Sequence, residues 1–342
     1  MGRWYWESVL TVALGAILCS PLQAASCRLP SLWGVHHAQR TADGERVHDV
    51  LLELDRLTAT LVGPSDIARA IEQKGPAWTP ALIQLLEHGR SPDRPLSLPE
   101  RRVLLAALAA WGRRSTMPFV RERALLEGDA RAWEALLLIL GEVGHGSDLE
   151  FVSQIGAKEL TGPRLPARVG EALREASAKI LSRDPRSMYL LRELLLSSDP
   201  RIGILLAGAV GDSAPPTGAE SLSRLLGFVP FSDRSLLESI GRAGRELPHP
   251  VDSSITDAVR LYLHSEDLGL VRETALTLGV LGDHDAIGSL TRLLDHHSLS
   301  VRSASHAALV QITGLGFSAD AARWNSWYNL ESAWLDERAR VL

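Results

Sequence analysis

Histidines beside aspartates are the first candidates for chemistry in this sequence, because imidazole and carboxylate groups bind metal ions. The densest groups are Asp295-His296-His297, His284 between two aspartates, and His36-His37. Each group lies in a predicted turn, and no third and fourth ligand follows at helical spacing. Turn histidines of this kind are more often solvated or capping groups. We therefore predict no bound metal and no other cofactor.

The motifs of the common enzyme classes are absent from this sequence. It has no P-loop, no nucleophile elbow around a serine, no His-Glu-x-x-His and no paired-cysteine metal site. Gly314-x-Gly316-x-x-Ala319 has the spacing of a dinucleotide fingerprint, but it follows a predicted helix and not a strand. We predict no catalytic residues and no enzymatic activity. A metal-dependent or other accessory enzyme subunit is the alternative.

Four arginines at repeating intervals are the candidate binding residues. Successive members are separated by 32, 36 and 32 residues: Arg192, Arg224, Arg260 and Arg292. If the helices that carry them stack, their guanidinium groups form a ladder that binds carboxylates or sulfates. The alternative is that each is a solvent-facing helix residue, paired with neighbours such as Glu193 or Asp295. A ladder predicts a protein partner or an anionic polysaccharide.

These intervals follow a repeat that runs through most of the chain. An aliphatic helix end, then Gly, two residues and Gly, recurs at residues 140–144, 207–211, 240–244 and 278–282. Weaker copies end near residues 112, 182 and 314, and the mean period is about 34 residues. A second apolar helix follows the best copy, so the predicted unit is helix, tight turn, helix. Glycine at the end of the first helix is expected to adopt the left-handed turn.

Two Ser-x-x-acid pairs predict where helices begin. Ser97 with Glu100, and Ser254 with Asp257, have the spacing at which the serine accepts a hydrogen bond from a free amide of the first turn. We therefore expect one helix to start directly after Ser97 and another directly after Ser254.

The best copy of the repeat resembles a known family. Val271-Arg272 before an Ala/Leu-rich helix, the segment Leu278–Asp283, and Leu290-x-x-Leu293-Leu294 resemble HEAT-like repeats of the short bacterial type. The resemblance covers residues 46–314. It implies an all-α fold, an alpha-alpha superhelix of stacked hairpins whose second helices line a concave face. The four arginines would lie on that face.

The resemblance also sets limits on function. Arg272 and Arg302 look like the family's Val-Arg position, which implies a structural role for both. Some HEAT-repeat enzymes hold a di-iron centre with His-Glu dipeptides on facing helices. This sequence contains no His-Glu dipeptide, so that chemistry is not carried over.

The first residues have the pattern of an export signal. Arg3 supplies a positive start, Val9–Leu18 is apolar, and small residues close the segment at Ser26. We predict a signal peptide over residues 1–26, with an uncleaved anchor as the alternative. Residues 27–45 are predicted to be a linker, because they contain prolines, glycines and polar residues before the first convincing helix.

Cys27 is a candidate lipidation site. Cys19 lies within the signal, so Cys27 would be the only thiol of the mature chain. Ala24-Ala25-Ser26-Cys27 resembles the bacterial lipoprotein box, in which the cysteine becomes the lipidated N-terminus, although Ala24 stands where leucine is usual. A plain free thiol is the alternative.

Residues 315–342 are predicted to form a capping helix at the C-terminal end of the repeats. Its aromatic residues recur at helical spacing and include Trp324, Trp327 and Trp334. We expect these side chains to cover the last repeat; the alternative is an exposed aromatic surface for a sugar or peptide. The tails of other exported bacterial HEAT-repeat proteins are similar.

Charge and architecture together predict the class of partner. The net charge is −5, from 36 basic and 41 acidic residues, which disfavours nucleic acid or an anionic membrane as the main partner. We predict a non-enzymatic scaffold, exported to the periplasm or cell envelope, that presents a concave helical surface to a protein partner. Membrane contact is predicted only through a lipid on Cys27 or an uncleaved signal. An envelope lipoprotein and an anionic-polysaccharide binder are the alternatives.

Overall fold

The structure, a computed structural model, describes residues 32–60, 63–91, 93–126, 128–158, 166–197, 199–215, 217–228 and 233–341. The chain divides into two compact units, Met1–Ala42 and Asp43–Leu342. The described part of the first unit is the beginning of a helix. The candidate site described below lies in the second unit.

Helices account for most of the described residues. They are α1 (Leu32–Thr60), α2 (Pro64–Glu72), α3 (Thr79–His88), α4 (Leu98–Leu125), α5 (Ala130–Val143), α6 (Leu149–Lys158), α7 (Ala167–Arg183), α8 (Met188–Ser197), α9 (Pro200–Ser213), α10 (Gly218–Ser223), α11 (Asp233–Gly244), α12 (Ser253–Arg260), α13 (Leu268–Leu281), α14 (Ile287–Arg292), α15 (Leu299–Thr313) and α16 (Ala321–Val341). Short 3-10 turns join several of them, including Gly146–Asp148, Pro185–Ser187 and Leu261–His264.

From α5 onward the helices stack as hairpins. Each first helix packs on the next first helix, in the order α5, α7, α9, α11, α13 and α15. The second helices α6, α8, α10 and α12 likewise contact one another in order. Each hairpin therefore buries its apolar side chains against its neighbours. The predicted all-α stack of HEAT-like hairpins is confirmed.

The glycines of the repeat allow consecutive first helices to approach closely. A Cβ atom on Gly141 would lie 3.0 Å from the Cα of Ala176, and one on Gly279 would lie 2.9 Å from the Cα of Ala308. Both glycines are inside helices and do not form the left-handed turn expected of a glycine at the end of the first helix, whereas Gly282 and Gly314, which end α13 and α15, do form it. Within the four clear copies, Gly282 at φ 67° is the glycine that adopts this turn. The repeat selects glycine mainly for helix packing.

Helix α4 combines the two helices of one hairpin. Gly112 has φ 75° and ψ 176°, which breaks the helical path between residues 98–111 and 113–125. These positive-φ angles favour glycine because a Cβ atom would be strained there. The weak copy of the repeat that ends near residue 112 therefore marks a real hairpin turn.

The two predicted helix starts have different outcomes. Ser97 caps α4: the Glu100 amide donates to the Ser97 hydroxyl, and the Ser97 amide donates to Glu100 Oε2 at 2.7 Å. Helix α12 instead begins after Asp252, whose carboxylate accepts the Ser254 amide at 2.8 Å. The Ser254 prediction is wrong, because Asp252, two residues earlier, is the cap and Ser254 already lies in the first turn of the helix.

The N-terminal and C-terminal predictions differ in how far the structure describes them. Residues 32–45 of the predicted linker are helical, as the beginning of α1. The predicted signal peptide over residues 1–26 and the candidate lipidation site Cys27 lie outside the described residues. At the other end, α16 packs against α14, at the place predicted for the capping helix.

Candidate functional site

Arg260, one of the four candidate binding arginines, is engaged within the protein. Its guanidinium lies 2.7 Å from Asp283 Oδ2 and 2.8 Å from Asp257 Oδ1, and Asp285 lies 3.4 Å away. Asp283 is buried, and burial raises the pKa of its carboxyl although Arg260 acts in the opposite direction. Arg260 therefore ties α12 to the turn after α13, and little of it is available to a partner.

The other three arginines are exposed but differ in register. Arg192 directly follows a buried leucine, as Arg260 directly follows a buried valine. Arg224 and Arg292 come two residues after buried leucines. One residue corresponds to about 100° around a helix, so the four do not project as one row. Arg224 pairs with Glu220, four residues earlier in the chain, at 2.6 Å. A role of the four arginines in binding stays a prediction.

The boundary between successive hairpins forms a second surface, which we call the inter-repeat edge. It consists of the ends of the second helices and the starts of the first helices. The turns within hairpins lie at the opposite edge, where Gly146–Asp148 contacts Pro185–Ser187. Side chains link neighbouring hairpins along the inter-repeat edge: Arg101 pairs with Glu134 at 2.5 Å, and Lys158 donates to the carbonyl of Ala124.

Exposed apolar side chains concentrate along the inter-repeat edge. Eleven large apolar side chains are exposed in the described part of the chain, and eight of them lie at second-helix ends or first-helix starts. These eight are Leu98, Leu125, Leu126, Leu196, Phe228, Leu261, Leu268 and Leu299. Leu125 is 86% exposed, and Phe228 and Leu261 are each 74% exposed. This concentration of apolar side chains makes the inter-repeat edge a candidate interaction surface.

A row of arginines follows the same edge. Every first helix from α4 to α15 carries one within its first five residues: Arg101, Arg131, Arg168, Arg201, Arg234, Arg272 and Arg302. A cation at this position opposes the helix dipole and weakens the helix. The helix dipole therefore does not explain the row.

Some of these arginines make identifiable contacts within the protein. Arg302 donates to the carbonyls of His296 and His297 at 2.8 and 2.9 Å, and so caps the end of the preceding second helix. Arg201 pairs with Asp199, the cap of its own helix, at 2.9 Å. In the middle of the stack the corresponding side chains are exposed to solvent: Arg131, Arg168 and Arg234.

The sequence contained a signal for this row that our predictions missed. Its members are separated by 30, 37, 33, 33, 38 and 30 residues, which matches the repeat period as well as the predicted ladder does. Recognising the row requires helix starts to within about two residues, and these are the least certain part of a sequence-based assignment.

Trp324 and Trp327 of α16 pack with Phe317 into a small aromatic core. Trp324 is fully buried, and its Nε1 donates to the carbonyl of Ser318 at 2.9 Å. Phe317 and the half-buried Trp327 pack edge-on against it. Trp324 is therefore wrong as part of an exposed aromatic surface, because its ring fills the space beneath the cap. The side chain of Trp334 lies outside the described residues.

An open groove on the first-helix side, of about 600 Å³, is lined by paired charges. Lys179 bonds Glu142 at 2.6 Å, and Arg174 bonds Asp212. These pairs link α7 to α5 and to α9. We assign the groove to hairpin packing.

The described residues contain neither a candidate metal cluster nor a candidate membrane span. In that part of the chain, no three histidine, cysteine, aspartate or glutamate side chains come together to hold a metal ion. Among the helices described, none is long and apolar enough to cross a membrane.

Comparisons with known proteins add little to this geometry. No protein-family model matches the sequence, and no curated protein matches it. Solved structures similar to the chain include that of human deoxyhypusine hydroxylase in complex with glycerol, with a TM-score of 0.32. The match covers 79% of this chain and 99% of that chain at 16% sequence identity. We carry no activity over from that enzyme.

Proposed function

We propose that the chain is a non-enzymatic scaffold that binds a protein partner along the inter-repeat edge. The observation that carries the proposal is the concentration of exposed apolar side chains on that edge, interleaved with arginines. Arginine and aromatic residues are enriched in protein interfaces, and apolar patches of this kind are uncommon on monomers. A stack of hairpins presents such an edge over a long distance, which suits an extended partner.

The partner is proposed to be a protein segment with apolar side chains beside carboxylates. Leucines and Phe228 on the edge would pack against the apolar groups, and an exposed arginine such as Arg168 would bond a carboxylate. The partner is placed in the cell envelope, on the strength of the export pattern at residues 1–26 and the lipoprotein-like box at Cys27.

Site-specific crosslinking tests the proposed surface. A photo-reactive residue is placed at Phe228 on the edge, and in a second protein at Leu330 on α16, which is equally exposed at 74%. We expect one partner to crosslink from position 228 in native cell-envelope extracts and not from position 330. Equal crosslinking from both positions would contradict binding at the inter-repeat edge.

A matched pair of variants then tests whether the edge contributes to affinity. Leu261→Ser and Leu330→Ser remove the same side chain at the same 74% exposure, one on the edge and one on α16. The partner identified by crosslinking is titrated against each variant. We expect at least tenfold weaker binding for Leu261→Ser, because the lost apolar contact is worth roughly 1.5 kcal/mol or more. Leu330→Ser should bind as the unchanged chain does.

A further inference from the structure

A pocket of about 310 Å³ opens on the inter-repeat edge near the start of the stack. Its walls come from four elements: the end of α3 at Leu86–Gly89, and the first turns of α4, α5 and α7. Three arginines of the row line it, namely Arg101, Arg131 and Arg168. Three successive members of the row thus line one concave surface.

The two carboxylates in the wall are already hydrogen-bonded. Glu87 is almost fully buried and accepts two hydrogen bonds from Arg123, at 3.0 and 2.6 Å. Glu134 accepts one from Arg101 at 2.5 Å. Both negative charges are thus balanced by guanidinium groups, and Arg168 brings a further positive charge to the pocket.

The donor groups favour a planar anion. A guanidinium carries five N–H donors in a fixed fork, so an arginine already bonded to one carboxylate can still donate to a second. The forks of arginine match the two oxygens of a carboxylate. Helix α7 adds to the attraction, because it begins after Pro166 without a side-chain cap and its positive end lies beside Arg168.

The geometry points to this pocket as the anchor for a carboxylate of the protein partner, held by Arg101, Arg131 and Arg168. This inference rests on the proposed scaffold function and names the group that the edge recognises. A carboxylate reaches such a pocket either from an acidic side chain or from the C-terminus of the partner. Both sources share the same chemistry, and small probes separate them.

The test uses three probes and two protein variants. N-acetylglutamate α-methylamide presents a side-chain carboxylate, N-acetylalanine presents a C-terminal one, and N-acetylglutamine α-methylamide is the uncharged control. Each probe is titrated by NMR into the unchanged chain, Arg168→Gln and Arg234→Gln. Arg234 is the matched control, because it is also an exposed second residue of a first helix and lies outside the pocket. Thermal unfolding confirms that each variant is folded.

We expect a carboxylate probe to bind the unchanged chain and Arg234→Gln alike, and Arg168→Gln at least fivefold more weakly. The stronger of the two carboxylate probes identifies the source. The proposed anchor would be overturned if the carboxylate probes bound both variants equally, or if the uncharged glutamine probe bound as tightly as they do. A partner that needs Leu261 but tolerates Arg168→Gln leaves the scaffold standing and overturns the anchor. If the probe binds as expected but no partner depends on the edge, the carboxylate pocket stands and the scaffold function is overturned.

Discussion

At the level of single residues, buried charges hold neighbouring hairpins together. Asp148 is nearly inaccessible and receives hydrogen bonds from Arg113 and from the His145 amide, the latter at 2.9 Å. Burial alone would raise the pKa of Asp148, but these bonds and the nearby charge of Arg121 outweigh it and lower the pKa. The carboxylate therefore stabilises the fold in its charged form.

Asp148 should make stability depend on acid pH. Because its pKa is lower in the folded chain, its contribution is present above the unfolded value near pH 4 and is lost as pH falls through the folded value. We expect Asp148→Asn to lower the free energy of unfolding by about 1–3 kcal/mol at pH 7, because Arg113 loses its partner. In urea titrations this difference should shrink steadily below pH 4. A difference independent of pH would contradict the assignment, and the exposed Asp93→Asn is the control.

Ala214 is the one described non-glycine residue with positive φ, at 42°. It ends α9 in the left-handed conformation, where a Cβ atom is strained. We expect Ala214→Gly to raise the free energy of unfolding by about 0.5–1 kcal/mol. This is the net effect, because the relieved strain is partly offset by the entropy that glycine adds to the unfolded chain. Ala106→Gly, at an exposed site inside α4, should lower it by about 1 kcal/mol. Chemical denaturation of both variants measures the sign of each change in the free energy of unfolding. If Ala214→Gly were destabilising, the backbone strain at Ala214 would be refuted.

At the level of helices, two glycines of α9 differ in what surrounds them. A Cβ atom on Gly203 would meet the carbonyl oxygen of Leu195 at 3.7 Å, an ordinary contact. A Cβ atom on Gly211 would lie 3.0 Å from the Cα of Ser239, on the neighbouring first helix. The same substitution in one helix therefore has opposite consequences.

We expect Gly203→Ala to raise the free energy of unfolding by about 0.5–1 kcal/mol, because alanine favours a helix interior. Gly211→Ala should lower it by about 1–3 kcal/mol, because α9 and α11 must move apart. Urea denaturation of the two proteins measures both changes. If both substitutions were stabilising, the close approach of the first helices would be refuted.

The helices and their order could be predicted from the glycine-marked repeat, since a constant period with two apolar helices leaves stacking as the way to bury them. The packing role of Gly141 and Gly279 could not be predicted, because the sequence of one repeat does not show where neighbouring helices touch. The same limit applies to the candidate site. Arg192 and Arg224 are equivalent by spacing alone, but the face that each occupies depends on where the buried leucine before it lies, one residue earlier for Arg192 and two for Arg224.

At the level of the whole molecule, each hairpin contacts its neighbours and few distant parts of the chain. In such a stack, stability is a sum of local terms, and damage at one end need not spread to the other. The C-terminal cap is the clearest case, because Trp324 closes the last hairpins together with Phe317 and His306. Its loss should act on the neighbouring helices first.

Trp324→Ala should therefore destabilise one end of the stack. Truncating a buried tryptophan costs about 3–5 kcal/mol, which exceeds what a single hairpin is expected to withstand. We expect faster hydrogen exchange in α14, α15 and α16, with α5 and α7 protected as in the unchanged chain. Leu330→Ala, at an exposed site on the same helix, should change neither region. Uniformly faster exchange in all helices would instead mean that the stack unfolds as one cooperative unit.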